Sequence, residues 1–147
     1  MNSKKEQYTI KSFLAEVNYL PDFLIEKAEK KGYILDYSVE SLNELERYLS
    51  TENIQREDED QQLSAMYLGE LIIKNYGGEW FMELENPKDI DFAIPTIKGH
   101  SNFDVSFNPF HAVSIYILRK IPRTFYKAIM ADIKPSQLDL NLYPTEE

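Results

Sequence analysis

Ile10, Phe13, Leu14, Val17, Leu20 and Leu24 recur at steps of three and four residues, the spacing that lines one face of a helix. This predicts helix over residues 8 to 31, with a break near Leu20. Pro21 is tolerated only in the first turn of a new segment. Gly32 then stops that segment, behind a lysine-rich last turn that suits the negative end of the helix dipole. "YILDYS", residues 33 to 38, is short and strand-prone. In "SVESLNELERYLS", Leu42, Leu45 and Leu49 share a face, and Ser38 or Ser41 can cap the helix. Ser41 has Glu44 three residues on, the capping-box spacing. "TENIQREDEDQQ" is polar throughout and reads as a linker that runs into a helix start, with Glu57 to Asp60 at the positive dipole end.

From Gln61 to Tyr76 the pattern changes. Leu63, Ala65, Met66, Tyr67, Leu68, Leu71, Ile72, Ile73 and Tyr76 cover nearly the whole wheel, which predicts a central helix buried within the domain. Three strand-like segments follow: residues 79 to 84, 90 to 95 and 103 to 107. In the last, Phe103, Val105 and Phe107 alternate with Asp104 and Ser106. Short links between these segments favour an antiparallel meander. Asn108 then suits an N-cap and Pro109 the first position of a helix that Pro122 ends. "RTFYKAIMADI" predicts a last helix up to Pro135. Residues 135 to 147 read as an extended tail, packing through Leu138, Leu140 and Leu142.

Gly77 and Gly78 pose the first functional question. Phosphate-binding glycine loops follow a strand and precede a helix, so that free amides and the positive dipole end face the anion. Here the helix comes first. The exposed groups are carbonyls and the dipole end is negative, which repels a phosphate. Lys74 lies before the glycines, inside the helix, and does not restore a Walker-type loop. The pair therefore reads as punctuation, with Gly77 closing the helix in a left-handed conformation and Gly78 turning the chain into the strand of Trp80.

Composition narrows the rest. The 147 residues fit one domain, and 43% apolar residues can build a core. There is no cysteine, which removes disulfides, thiolate metal sites and cysteine nucleophiles. The net charge of -9 disfavours nucleic-acid phosphates and favours a basic protein partner. No apolar run approaches the roughly 20 residues of a membrane span, and no signal-peptide core is visible, so a soluble cytoplasmic protein without membrane association is expected.

Glu70 is the most conspicuous ionisable residue, because it lies among Met66, Tyr67 and Ile73 on an oily wheel. A carboxylate there must pair, accept hydrogen bonds or take up a proton. One reading is a pocket-floor acid; the other is a structural carboxylate satisfied by Lys74, a tyrosine or the Trp80 indole. His100 falls in a loop beside Gly99, a setting open to solvent, and His111 in the first turn of a helix. Their spacing matches no metal motif. "REDED", residues 56 to 60, lacks the glycine and spaced oxygens of a calcium loop and reads as a solvated helix start. No G-x-S-x-G elbow occurs. Neither a catalytic residue, a cofactor nor a metal is assigned.

"LDYSVESLNEL" (35 to 45), "YLGELIIKNYGGEW" (67 to 80) and "NPF" (108 to 110) occur in an order that resembles a DUF-type family of small, uncharacterised bacterial domains. Such domains share a DYS-x-x-SL helix opening, a YLGE helix, a GG-x-W turn and a later Asn-Pro. The resemblance covers roughly residues 35 to 120. It implies that Tyr67, Gly69, Glu70, Gly78, Trp80 and Asn108 belong to one shared structural or binding feature, and it brings no activity with it. The connection from Ile97 to Asn102 and the acidic tail have no counterpart in the pattern.

The expectation is an α+β domain: N-terminal helices, a central buried helix on a three-stranded antiparallel meander, and C-terminal helices. The expected function is that of a non-enzymatic bacterial binding protein, an immunity-type antitoxin for a basic toxin being its most concrete form. Binding residues are expected at Tyr67, Glu70, Trp80 and Asn108. The alternatives are a small-molecule site or hydrolase centred on Glu70 and Trp80, and a homo-oligomer joined through the sheet edge.

Overall fold

The computed structural model describes residues 2 to 134, with side chains from Ile10 onward; the expected tail, 135 to 147, lies outside the described residues. The α+β class is the one observed. Helices α1 (Asn2–Val17), α2 (Leu20–Lys30), α3 (Ser41–Thr51) and α4 (Glu59–Tyr76) precede strands β1 (Glu79–Phe81), β2 (Thr96–Lys98) and β3 (Ser106–Phe107); α5 (Pro109–Arg119) and α6 (Thr124–Ile133) follow. The strands pair antiparallel in the order β1-β2-β3, with Trp80 opposite Ile97 and Ile97 opposite Phe107.

The break at Leu20 and the stop at Gly32 fall where the pattern puts them. Gly32, at φ +93°, completes a Schellman turn: its N–H bonds Glu29 O and the Tyr33 N–H bonds Ala28 O. The central helix α4 is buried from Leu63 through Gly69 and again at Leu71 and Ile72. It packs mainly between α5 and α2 and lays one side on β2. Helices thus cover more of it than the meander does, because three strands of two or three residues offer little surface.

The strand expectations need correction. "IDFAIP" is a loop, and the middle strand is Thr96–Lys98, inside the stretch read as a connection. The cause is local side-chain competition for backbone groups. Asp89 Oδ1 takes the Asp91 N–H, Asn86 Oδ1 takes the Lys88 N–H, and Phe92 N–H bonds Asp89 O. Ile90 consequently stands 92% exposed. In "FDVSF" only Ser106 and Phe107 pair. The Val105 N–H turns back to Phe103 O, and Phe103 faces outward rather than into the core.

"YILDYS" is not a strand either. Tyr33 and Leu35 are buried, but the backbone bonds to side chains: Ile34 N–H to Glu44, and Tyr37 N–H to the Tyr67 hydroxyl. Glu44 is therefore drawn away from a capping box; it holds Ile34 and Arg47, while Ser38 Oγ receives the Ser41 N–H. At the α4 start, Asp60 is buried rather than solvated. It accepts from Lys27 Nζ at 2.9 Å and from the Tyr48 hydroxyl at 2.7 Å. Burial, more than this bond, raises the tyrosine's pKa.

Candidate functional site

Two of the motifs singled out in the sequence meet on α4. Tyr67 is fully buried and stacks on Tyr37, with ring centroids 4.6 Å apart. Its hydroxyl accepts the Tyr37 N–H at 2.8 Å and lies 2.7 Å from Ser41 Oγ. Ser41 spends its own proton on Ser38 O, so Tyr67 donates to Ser41. Ser38 in turn donates to Asp36, whose carboxyl is held below its ordinary value by that bond. Asn75, the penultimate residue of α4, clamps the Tyr37 carbonyl. The whole DYS segment is thus pinned to the central helix. Tyr67→Phe leaves a half-buried amide and a buried serine oxygen without their partner. It is expected to cost about 1–3 kcal/mol, read as a fall in the urea midpoint at unchanged slope.

A second cluster gathers one turn later. Trp80 Nε1 donates to Glu70 Oε2 at 2.8 Å. The indole meets Phe13 edge-on at 4.8 Å between centroids and lies against Gly69. Glu70 is therefore the satisfied carboxylate, with the indole as its partner. Lys74 stands instead over the Tyr37 ring, 4.9 Å from its centroid. Gly69 is needed because any Cβ there would collide with the far edge of the indole, which Phe13 and Glu70 hold in place. Gly69→Ala gains about 1 kcal/mol of helix propensity. It loses about 1–3 kcal/mol to overpacking, and more if the hydrogen bond breaks. A net loss of about 1–2 kcal/mol is expected, with a shifted emission maximum from the chain's single tryptophan as the specific sign.

Gly78 and Asn108 stand apart from these clusters. Gly77 closes α4 through its N–H to Ile73 O, but at φ +92° and ψ -168°, an extended positive-φ conformation rather than the left-handed helical one expected. Gly78 lies close against the backbone of Lys98, the last residue of β2, and of Gly99 and His100 just beyond it. Helix-then-strand order holds through this bend, so α4 offers it carbonyls and a negative dipole end. Asn108 caps α5 through its Oδ1 to the His111 N–H at 2.9 Å and donates to Asp91 Oδ1 at 2.8 Å. The resemblance implied one shared feature. The structure instead places Tyr67, Gly69, Glu70 and Trp80 along α4 and β1, and Asn108 at the rim of a separate groove.

That groove, of about 920 Å³, opens between the 90s loop, β3, α5 and α6. A shallower hollow of about 500 Å³ lies between α1, α4 and the loop before β2. Tyr67, Glu70 and Trp80 line neither. Beside the larger groove is a pair that the sequence did not reveal. His100 is 4% exposed, not open to solvent, and its Nε2 lies 2.8 Å from Asp132 Oδ2, while its buried Nδ1 has no partner among the described residues. Ser101 Oγ donates to the Asp132 carbonyl, tying the same loop to α6. His111 is exposed and sits in the first turn of α5, as expected for its place after Asn108 and Pro109. No group of three or more His, Asp and Glu side chains among the described residues is placed to hold a metal ion. No helix among them is long and apolar enough to cross a membrane.

Comparisons of this chain with protein-family models, with curated proteins and with solved structures return no match, so the site is read from its own geometry.

Proposed function

We propose that this protein is a non-enzymatic binding protein of bacterial cytoplasm that takes up a basic protein partner, in the manner of an immunity-type antitoxin. The observation that carries the reading is the distribution of charge. Glu57, Asp58 and Glu59 are exposed at the start of α4, and Glu79, Glu85 and Asp89 are exposed at β1 and in the loop after it. With a net charge of -9, these acids set a field that steers a cationic partner. The candidate polar residues support the same reading: Tyr67, Glu70, Trp80 and Asn108 each spend their bonding groups on other parts of the chain. A small-molecule or hydrolase site at Glu70 would first have to break its bond to the indole.

The test is titration of the protein with the basic product of a neighbouring gene, at low and at physiological ionic strength. A complex is expected whose affinity falls with salt. Reversing Glu57, Asp58 and Glu59 to lysine should slow association by roughly tenfold or more. No complex, or one indifferent to salt and to the reversal, overturns the proposal.

A further inference from the structure

Among the described residues, Tyr19 and Phe23 form an aromatic pair that stands outside both apolar clusters of the interior. Pro21, Leu24 and Ala28 turn α2 inward and are buried. Phe23 projects from the opposite side, 56% exposed, and Tyr19 at the α1–α2 corner is 51% exposed. The two rings meet edge-on, with centroids 6.4 Å apart. Single exposed apolar side chains are ordinary on a surface, but adjoining aromatic rings are what anchors protein interfaces. Their backbone is fixed: the Tyr19 N–H bonds Glu16 O, and the Asp22 N–H bonds Tyr19 O. A partner therefore spends little on ordering these anchors.

The charge around the pair has one sign. Residues 12 to 26 carry Glu16, Asp22 and Glu26 and no base. All three acids are exposed, and none makes an ion pair among the described residues. Asp22 stands in the first turn of α2, where it offsets the positive dipole end that would otherwise repel a cation. Lys27, one turn past Phe23, is committed to Asp60 at 2.9 Å. The first base of α2 without an ion pair among the described residues is Lys30, two turns past Phe23. Aromatic faces flanked by carboxylates suit a lysine or arginine side chain, which the ring attracts and the acids pair. The same lysine links this face to the steering acids. Its partner Asp60 follows directly on Glu57, Asp58 and Glu59. One helical turn and one ion pair thus join the aromatic pair to that acidic run, well within the span of a standard interface.

We infer that Tyr19 and Phe23 anchor an arginine- or lysine-bearing segment of the basic partner, its cation over the rings and among Glu16, Asp22 and Glu26. This rests on the basic-partner reading and gives it a point of contact. Glu57 to Glu59 then govern the rate of approach, and the aromatic pair governs the lifetime of the complex.

The probe is a hexa-arginine peptide titrated into the full chain at low ionic strength, with NMR following ring and amide signals. The largest shifts are expected at Tyr19 and Phe23. Tyr19→Ser combined with Phe23→Ser should weaken peptide binding about fivefold or more. Phe103→Ser, which removes a comparably exposed ring elsewhere, should leave it unchanged. The shift map on the wild type needs no variant, so it decides the matter even if the double variant is destabilised. Equal binding by wild type and double variant, or shifts centred on Glu57 to Glu59 or on β1, overturns the inference and leaves the basic-partner reading standing. A peptide that binds nowhere on the chain also overturns it, and the titration with the neighbouring gene product then judges the broader reading separately.

Discussion

Gly78→Ala is expected to be the most damaging single-methyl change in the chain, lowering stability by about 3–5 kcal/mol. Two independent costs meet at this residue. Its φ of +98° is one that a side chain tolerates poorly, worth about 1–3 kcal/mol. An added Cβ would also stand 2.7 Å from Lys98 O and 2.9 Å from His100 N. Those are backbone atoms at and just beyond the end of β2, so no rotamer change makes room. The strand must move, and Ile97, fully buried opposite Trp80, moves with it. Urea unfolding of Gly78→Ala beside Gly77→Ala separates the two costs. Gly77 has a similar φ of +92° but nothing within 4 Å of its Cβ position, so it should show the backbone cost alone. Equal losses for the two variants would rule out the contact with β2 as a cause.

Glu46→Ala is expected to cost about 3 kcal/mol. Glu46 is buried on α3, and its carboxyl caps α6 across the interior. Oε1 accepts the Arg123 N–H at 2.8 Å and Oε2 the Phe125 N–H at 3.0 Å. α6 has no cap of its own, because Arg123 occupies that place in a left-handed conformation and offers no side-chain bond. Truncation strands two donors at about 1–3 kcal/mol each, partly offset by the relief of desolvating a carboxylate. The pH dependence carries a further signature. Burial raises the native pKa of Glu46 despite those bonds, while the unfolded chain keeps the ordinary 4.5. Between the two values the native state holds a proton that the unfolded state has released. Its contribution is therefore full below about 4.5 and declines as pH rises through the native value. Wild type should lose stability relative to Glu46→Gln across that window. Asp36, Glu44 and Glu52 are depressed and act in the opposite sense below it, but Asp36 is exposed and the other two are only half-buried, so solvent screens them. A difference between wild type and Glu46→Gln that stays flat from pH 4 to 8 would refute the raised value.

The helices were legible in the sequence because most are written twice, once in periodicity and once in stop signals, although α1 begins at Asn2, six residues ahead of the expected start at residue 8. Pro21, Gly32, Asn108, Pro109 and Pro122 set boundaries that the structure keeps. The strands were not, since two- and three-residue segments are too short for alternation to outvote local chemistry. Asn86 and Asp89 captured the backbone of "IDFAIP", and the pairing moved on to Thr96–Lys98. Among the candidate residues, Glu70 and Trp80 could be connected from the sequence because an acid on an oily wheel demands a donor and one lone indole was near. His100 with Asp132, and Glu46 with the start of α6, join residues 32 and 77 or more positions apart. No periodicity couples such distances, and those contacts exist only once the helices have packed.

Phe13, Val17 and Met66 form a small greasy patch joined to the principal interior only through half-buried side chains, Leu20, Trp80 and Phe110. Among the described side chains of the first helix, those that are buried, Phe13 and Val17, both belong to that patch. This helix is therefore the piece that can peel away while the other helices stay assembled, and its amide hydrogens should trade for deuterium well before those of the central helix. The lone indole glows from the far side of the same seam, so its emission would report the peeling without any general unfolding.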